Sequence, residues 1–105
     1  MWKTLDFNPA YEISDLGEVR KIENGYCPKF YKDKDGYVSC SLNMGKGKKQ
    51  KFRVHRLVAL TFIPNPKNKP EVNHKNSIRD DNRAENLEWV TRSENEKHAY
   101  REGRN

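Results

Sequence analysis

Residues Val72–Tyr100, VNHKNSIRDDNRAENLEWVTRSENEKHAY, oblige the chain to change backbone habit several times in a short span. That restricts the fold more than any bulk property does. Val72-Asn73-His74 reads as the end of a strand, and the stretch from Asn76 to Asn82 is rich in turn-forming Asn, Ser and Asp. Glu88-Trp89-Val90-Thr91 returns to residues that favour strands. Thr91-x-x-Glu94 is then a capping box, with Thr91 at the N-cap and Glu94 at the third helical position. The unit is therefore strand, loop, strand, helix. In such a unit a strand end faces the first turns of the helix across a gap that suits a metal ion and a phosphate. Asn73 and His74 form one wall of that gap and Asn95 the other. Asn95, His98 and Ala99 share one helical face by their i, i+3, i+4 spacing.

Upstream, the pattern is one of short strands. Trp2 to Asn8 reads as a first strand or extended arm, with Leu5 and Phe7 as apolar anchors. Asp15-Leu16-Gly17 separates Tyr11-Glu12-Ile13-Ser14 from Glu18-Val19-Arg20-Lys21 as a tight hairpin in which Gly17 supplies a positive φ. Asp33-Lys34-Asp35-Gly36 makes a second hairpin between Phe30-Tyr31 and Tyr37 to Leu42. In that last strand Val38, Cys40 and Leu42 point one way and Tyr37, Ser39 and Ser41 the other. The second face suits either a sugar-phosphate backbone or plain solvent. Met44 to Gln50 reads as a Gly/Lys turn leading into Lys51-Phe52-Arg53-Val54. His55 to Phe62 reads as a short amphipathic helix with Leu57, Val58, Thr61 and Phe62 inward, stopped by Pro64 and Pro66.

Only 33% of the 105 residues are hydrophobic and 34% are charged, so any core is small. The net charge of +6 favours an anionic partner. Its placement is more informative: from Gly36 to Pro70 there is no Asp or Glu, while Lys46, Lys48, Lys49, Lys51, Arg53 and Arg56 all fall there. A merely solvated face mixes signs, so this stretch is read as a polyanion-binding segment with the hairpin tip reaching phosphates. Cys27 and Cys40 form no Cys-x-x-Cys pair, so no structural zinc is expected. Cys40, alternating with Val38 and Leu42, reads as a buried strand thiol, and a single disulfide stays open. No apolar run approaches membrane-spanning length, and a cytoplasmic protein with no membrane association is expected.

Asn73-His74, Asn86 and Asn95, the last two standing twelve and twenty-one positions after His74, resemble the HNH motif of phage and intron-encoded homing endonucleases. Trp2, Tyr11 to Ser14, Gly17, Val19-Arg20, Asp35-Gly36-Tyr37 and Val54 to Val58 resemble the nuclease-associated modular (NUMOD-type) domain that often precedes such units. The resemblance covers nearly the whole chain. It implies an α+β fold: an N-terminal antiparallel β-sheet module contacting DNA over residues 1–52, a ββα-metal (HNH) unit over 53–100, and a polar tail over 101–105.

It also implies a divalent-metal-dependent endonuclease that nicks one strand of double-stranded DNA per active site, as a monomer or weak dimer. The related enzymes often continue into a helix-turn-helix reader. In that scheme His74 is the general base and Asn86 holds its loop, while Asn73 and Asn95 bind one Mg²⁺ or Mn²⁺. His98 and His55 are candidates for phosphate contact, and His55 is equally read as structural. Where relatives often carry Asp, position 73 is an amide, so the resemblance implies weak metal binding until the substrate phosphate completes the site. Two alternatives use the same residues: a non-catalytic nucleic-acid-binding module on an HNH scaffold, and a small structural phage protein.

The basic segment makes a first prediction. Lys46→Ala with Lys48→Ala weakens binding to unrelated duplexes alike and flattens the slope of log affinity against log salt by up to about two units. Fluorescence anisotropy titrations at several salt concentrations measure it.

Overall fold

The computed structural model describes the backbone of residues 1–101 and the side chains of residues 1–96. The first three strands, β1 (Trp2–Leu5), β2 (Asn8–Ser14) and β3 (Val19–Lys21), form an antiparallel sheet in that order. A second antiparallel sheet contains β4 (Phe30–Lys32), β5 (Val38–Gly45) and β6 (Lys48–Arg53). Helix α1 (Val54–Phe62) follows β6 without a loop. The hairpin of β7 (Glu71–His74) and β8 (Leu87–Val90) comes next, with a one-turn 3-10 helix at Ala84–Asn86, and then helix α2 (Arg92–Arg101). This is the α+β arrangement the sequence implies.

Local chemistry accounts for the elements. Gly17 and Gly36 both adopt positive φ, +88° and +89°, at the turns after β2 and β4. In the second turn the Asp33 carboxylate accepts from the backbone N–H groups of Asp35 and Tyr37, an Asx-type closure. The capping box forms in full: Glu94 N–H donates to Thr91 Oγ1 at 3.1 Å, and Thr91 N–H donates to Glu94 Oε1 at 2.9 Å.

Val54, Leu57 and Val58, at i, i+3 and i+4 of α1, are each no more than 1% exposed. They meet Leu5, Ile13 and Val19 from the first sheet, Cys40 and Leu42 from the second, and Val72 and Leu87 from the β7–β8 hairpin in one core. Each such aliphatic side chain contributes about 1.5–3 kcal/mol of burial.

Two details differ from the sequence reading, and a third settles a point it left open. The turn after β5 is tighter than Met44–Gln50, because positive φ at Gly45, Lys46 and Gly47 lets β6 begin at Lys48. Ser39 keeps its place in the strand alternation but is 1% exposed; β5 pairs it between Tyr31 and Arg53, so it offers no surface, whereas Ser41 does. Cys27 is exposed and Cys40 buried, and both are free thiols, which closes the question of a disulfide. No helix of the described residues is long and apolar enough to cross a membrane.

Because one small core serves all three sheets, Leu57→Ala is expected to cost about 2–5 kcal/mol. The loss is read as a lower urea midpoint with unchanged slope, and the unfolding of both halves of the chain stays coincident.

Candidate active site

Strand β7 divides its side chains between two faces. Glu71 and Asn73 point toward α2 and β8, while Val72 and His74 turn toward the core side. On the first face the Asn95 amide, in the second turn of α2, donates from Nδ2 to Glu71 Oε1 at 2.9 Å. The Asn73 amide donates from Nδ2 to Glu88 Oε2 at 2.8 Å, across the register pair Asn73↔Glu88. Each amide therefore has its N–H end fixed on a carboxylate, and its carbonyl oxygen is directed away from that carboxylate. Among the described residues no three His, Cys, Asp or Glu side chains converge as a ligand group. Amide oxygens are hard donors of the kind Mg²⁺ and Mn²⁺ take, and each amide here is hydrogen-bonded to a carboxylate.

On the other face the His74 ring lies 5.0 Å from the His55 ring and 6.1 Å from Tyr37, centroid to centroid. Its Nε2 stands 2.8 Å from Asn82 Oδ1. A carbonyl oxygen only accepts, so in this contact the ring donates from Nε2–H. The sequence reading treats Asn82 as a turn former; it is a buried partner of the histidine instead.

Asn86 is buried where the loop meets β8. Its Oδ1 accepts from Asn76 N–H at 3.1 Å, its Nδ2 donates to Asn76 Oδ1 and to the Asp81 carbonyl, both at 2.9 Å, and its own carbonyl accepts from Lys75 N–H at 2.7 Å. One side chain thus ties both ends of the loop that carries Asn82. Arg83 grips the Asp81 carboxylate through two bonds of 2.8 Å and holds its pKa well below the usual carboxylate range.

His55, at the β6–α1 junction, stacks on Tyr37 at 5.3 Å and is buried. Burial, the nearby His74 ring, and the cations Arg53 and Arg56 push its pKa down to about 3, so it is a neutral ring. Arg53 and Arg79 lie 4.2 and 5.0 Å from the Tyr37 ring centre, which gathers two guanidinium groups beside the histidine pair. Arg79 is anchored by a 2.6 Å bond to the Asp35 carbonyl. The side chain of His98 lies outside the described residues.

The basic residues separate by strand alternation. Lys49, Lys51 and Arg53 stand opposite Asn43, Ser41 and Ser39 and form one face of β6, about 7 Å apart along the strand. Lys46 and Lys48 lie at the turn. Arg56 is exposed but held: it donates to the Pro70 carbonyl at 2.9 Å and lies 5.6 Å from the Trp89 ring centre.

Comparison with known proteins covers nearly the whole chain. Residues 52–97 fit the model of an HNH endonuclease family and residues 1–43 that of the NUMOD4 motif. The stretch that forms α1, the β7–β8 hairpin and the start of α2 is thus similar to HNH endonucleases. An uncharacterised HNH endonuclease of Acanthamoeba polyphaga mimivirus is 42% identical over 102 residues, 97% of this chain and 30% of the relative. The DNA endonuclease I-HmuI of Bacillus phage SP01 is 39% identical over 95 residues, 90% of this chain and 54% of that protein. A solved structure of DNA binding and cleavage by the HNH homing endonuclease I-HmuI superposes with a TM-score of 0.88 at 36% identity, covering 98% of this chain and 59% of that one. The chain thus spans from about a third to about half the length of these curated relatives.

His55 gives the HNH unit a pH-dependent stability. The folded ring stays neutral down to about 3, whereas the unfolded ring takes up a proton below 6.5. Stability is therefore full above 6.5 and falls as pH drops toward 3; by about pH 5 the loss is on the order of 2 kcal/mol. Urea melts of wild type and His55→Gln across this range check it, and the variant lacks that part of the pH dependence.

Proposed function

We propose that this HNH protein is a divalent-metal-dependent endonuclease that hydrolyses a phosphodiester bond in duplex DNA, nicking one strand per active site. The observation that carries the reading is the arrangement at the end of β7: an oriented imidazole at His74, a pair of pinned amides at Asn73 and Asn95, and a loop clamped by Asn86.

His74 takes the proton from the attacking water at Nδ1, since Nε2 is engaged by Asn82. Asn73 and Asn95 would hold Mg²⁺ or Mn²⁺ through their carbonyl oxygens, with Glu88 and Glu71 polarising those amides and supplying the charge that two neutral ligands lack. When bound, the ion offsets negative charge on the phosphate and the leaving oxygen. The phosphate lies across the end of β7, reached from one face by the amides and from the other by His74.

Arg53 and Arg79, gathered at Tyr37, neutralise the strand being cut, and Lys49 and Lys51 continue the same cationic face. His55, buried and neutral beside His74, packs the base rather than binding phosphate. Residues 1–52 grip duplex DNA while residues 53–100 cut it. A single copy of the site suits a monomer or weak dimer acting on cytoplasmic DNA.

Supercoiled plasmid incubated with Mg²⁺ tests this. Wild type converts it to nicked circles, His74→Ala slows conversion by about a hundredfold or more, and both retain the plasmid at low salt. Equal inertness of the two proteins with retention intact assigns the chain to non-catalytic DNA binding instead.

A further inference from the structure

Asn82 sits between two things that the sequence places in different modules. On one side its Oδ1 meets His74 Nε2 at 2.8 Å. On the other its backbone rests on the turn that joins β2 to β3. A Cβ at Gly17 would stand 3.1 Å from Asn82 Cβ and 3.2 Å from the Asn82 carbonyl oxygen, closer than a side chain is ordinarily accommodated. Two residues further on, Ala84 N–H donates to the Asp15 carbonyl at 2.7 Å, so segment 82–84 is fastened to the turn as well as leaning on it.

The turn itself is well braced. Ser14, 1% exposed, accepts at Oγ from the N–H groups of Leu16 and Glu18, and its carbonyl accepts from Gly17 N–H. It is a fixed surface against which Asn82 is set.

We propose that the Ser14–Glu18 turn is a strut that selects the tautomer of His74 through the side chain of Asn82, making Asn82 and Gly17 positioning residues for the general base. The role of the base rests on the function proposed above; the tautomer selection does not. The N-terminal module then contributes to the reaction itself as well as to DNA binding. Asn86 restrains both ends of the loop, but the carbonyl facing the imidazole belongs to Asn82, and its position is set by contact with a turn more than sixty residues earlier in the chain.

Two substitutions separate this strut from general stability. Gly17→Ala forces a side chain into the Asn82 contact at φ +88°, whereas Gly25→Ala imposes a similar backbone penalty at φ +72° with nothing within 4 Å. Ala84→Pro removes the N–H that bonds Asp15, at a half-buried position packed against the core, so a urea melt of the variant accompanies the test. Position 84 opens the 3-10 helix, where proline is tolerated, and Arg83 before it already has φ −66° and ψ 138°, as a residue preceding proline requires.

The test is the ¹⁵N spectrum of the His74 imidazole in the full-length protein, recorded well above the imidazole titration range, with plasmid nicking measured alongside. Wild type and Gly25→Ala show the Nε2–H form. Gly17→Ala, Ala84→Pro and Asn82→Ala show a mixture with the Nδ1–H form, and their kcat falls on the order of tenfold to a hundredfold with plasmid affinity unchanged. Asn82→Asp, which keeps an acceptor at the same place, keeps the Nε2–H form.

An Nδ1–H ring in wild type overturns the proposal. So does a wild-type spectrum in Ala84→Pro together with Asn82→Ala, and these two decide the matter should Gly17→Ala fail to fold. Absence of nicking by wild type, with the stated tautomers found, would instead remove the nuclease reading and leave the strut standing.

Discussion

The structure depends on α1 reaching every other layer from a single helix of nine residues. With a third of the chain charged and only a third hydrophobic, there is apolar material for one core and no more. Val54, Leu57 and Val58 supply its centre, and the two upstream sheets and the β7–β8 hairpin close on them. The place where His74 emerges is consequently fixed by packing that both sequence motifs share. His55, on the same helix, extends that packing to the ring of the proposed base itself.

Much of this was legible in the residues alone, and for identifiable reasons. The Thr91–Glu94 box, the glycine turns at 17 and 36, and the proline stop after α1 are local signals, in which the residues that decide the outcome are neighbours in sequence. The loop-holding role of Asn86 was legible from the resemblance and from the two donors and one acceptor of an amide. What was not legible depends on register and on contacts across the chain. Nothing in the sequence pairs Asn73 with Glu88, because the long loop between β7 and β8 hides which residues lie opposite each other. Asn82, in a run of Asn and Asp that all favour turns, carries no local mark separating it from Asp80 or Asp81. Arg56 and Arg53 look alike in a basic segment until the helix turns one toward Pro70 and leaves the other at Tyr37.

The same distinction bears on the cationic segment. As a string it is a run of lysines with no acid near it. Folded, the pleat of β6 sets Lys49, Lys51 and Arg53 on one face and leaves Lys46 and Lys48 at the turn. Charge at the turn adjusts to whatever approaches, since lysine ammonium groups there are free to reorient on long stems. Charge along the pleat is held at the spacing of the strand and ends at the guanidinium pair over Tyr37.

The carboxylates behind Asn73 and Asn95 have a bearing on the order of assembly. An anionic strand approaching a cluster of bare carboxylates is repelled until a cation has screened them, which obliges the cation to arrive first. Here one oxygen of each carboxylate, Glu88 Oε2 and Glu71 Oε1, accepts from an amide hydrogen, and both glutamates are half-exposed whereas Asn73 is buried. For the function proposed above, these glutamates keep their charge at the surface, so an ion that screens them eases the approach of the polyanion.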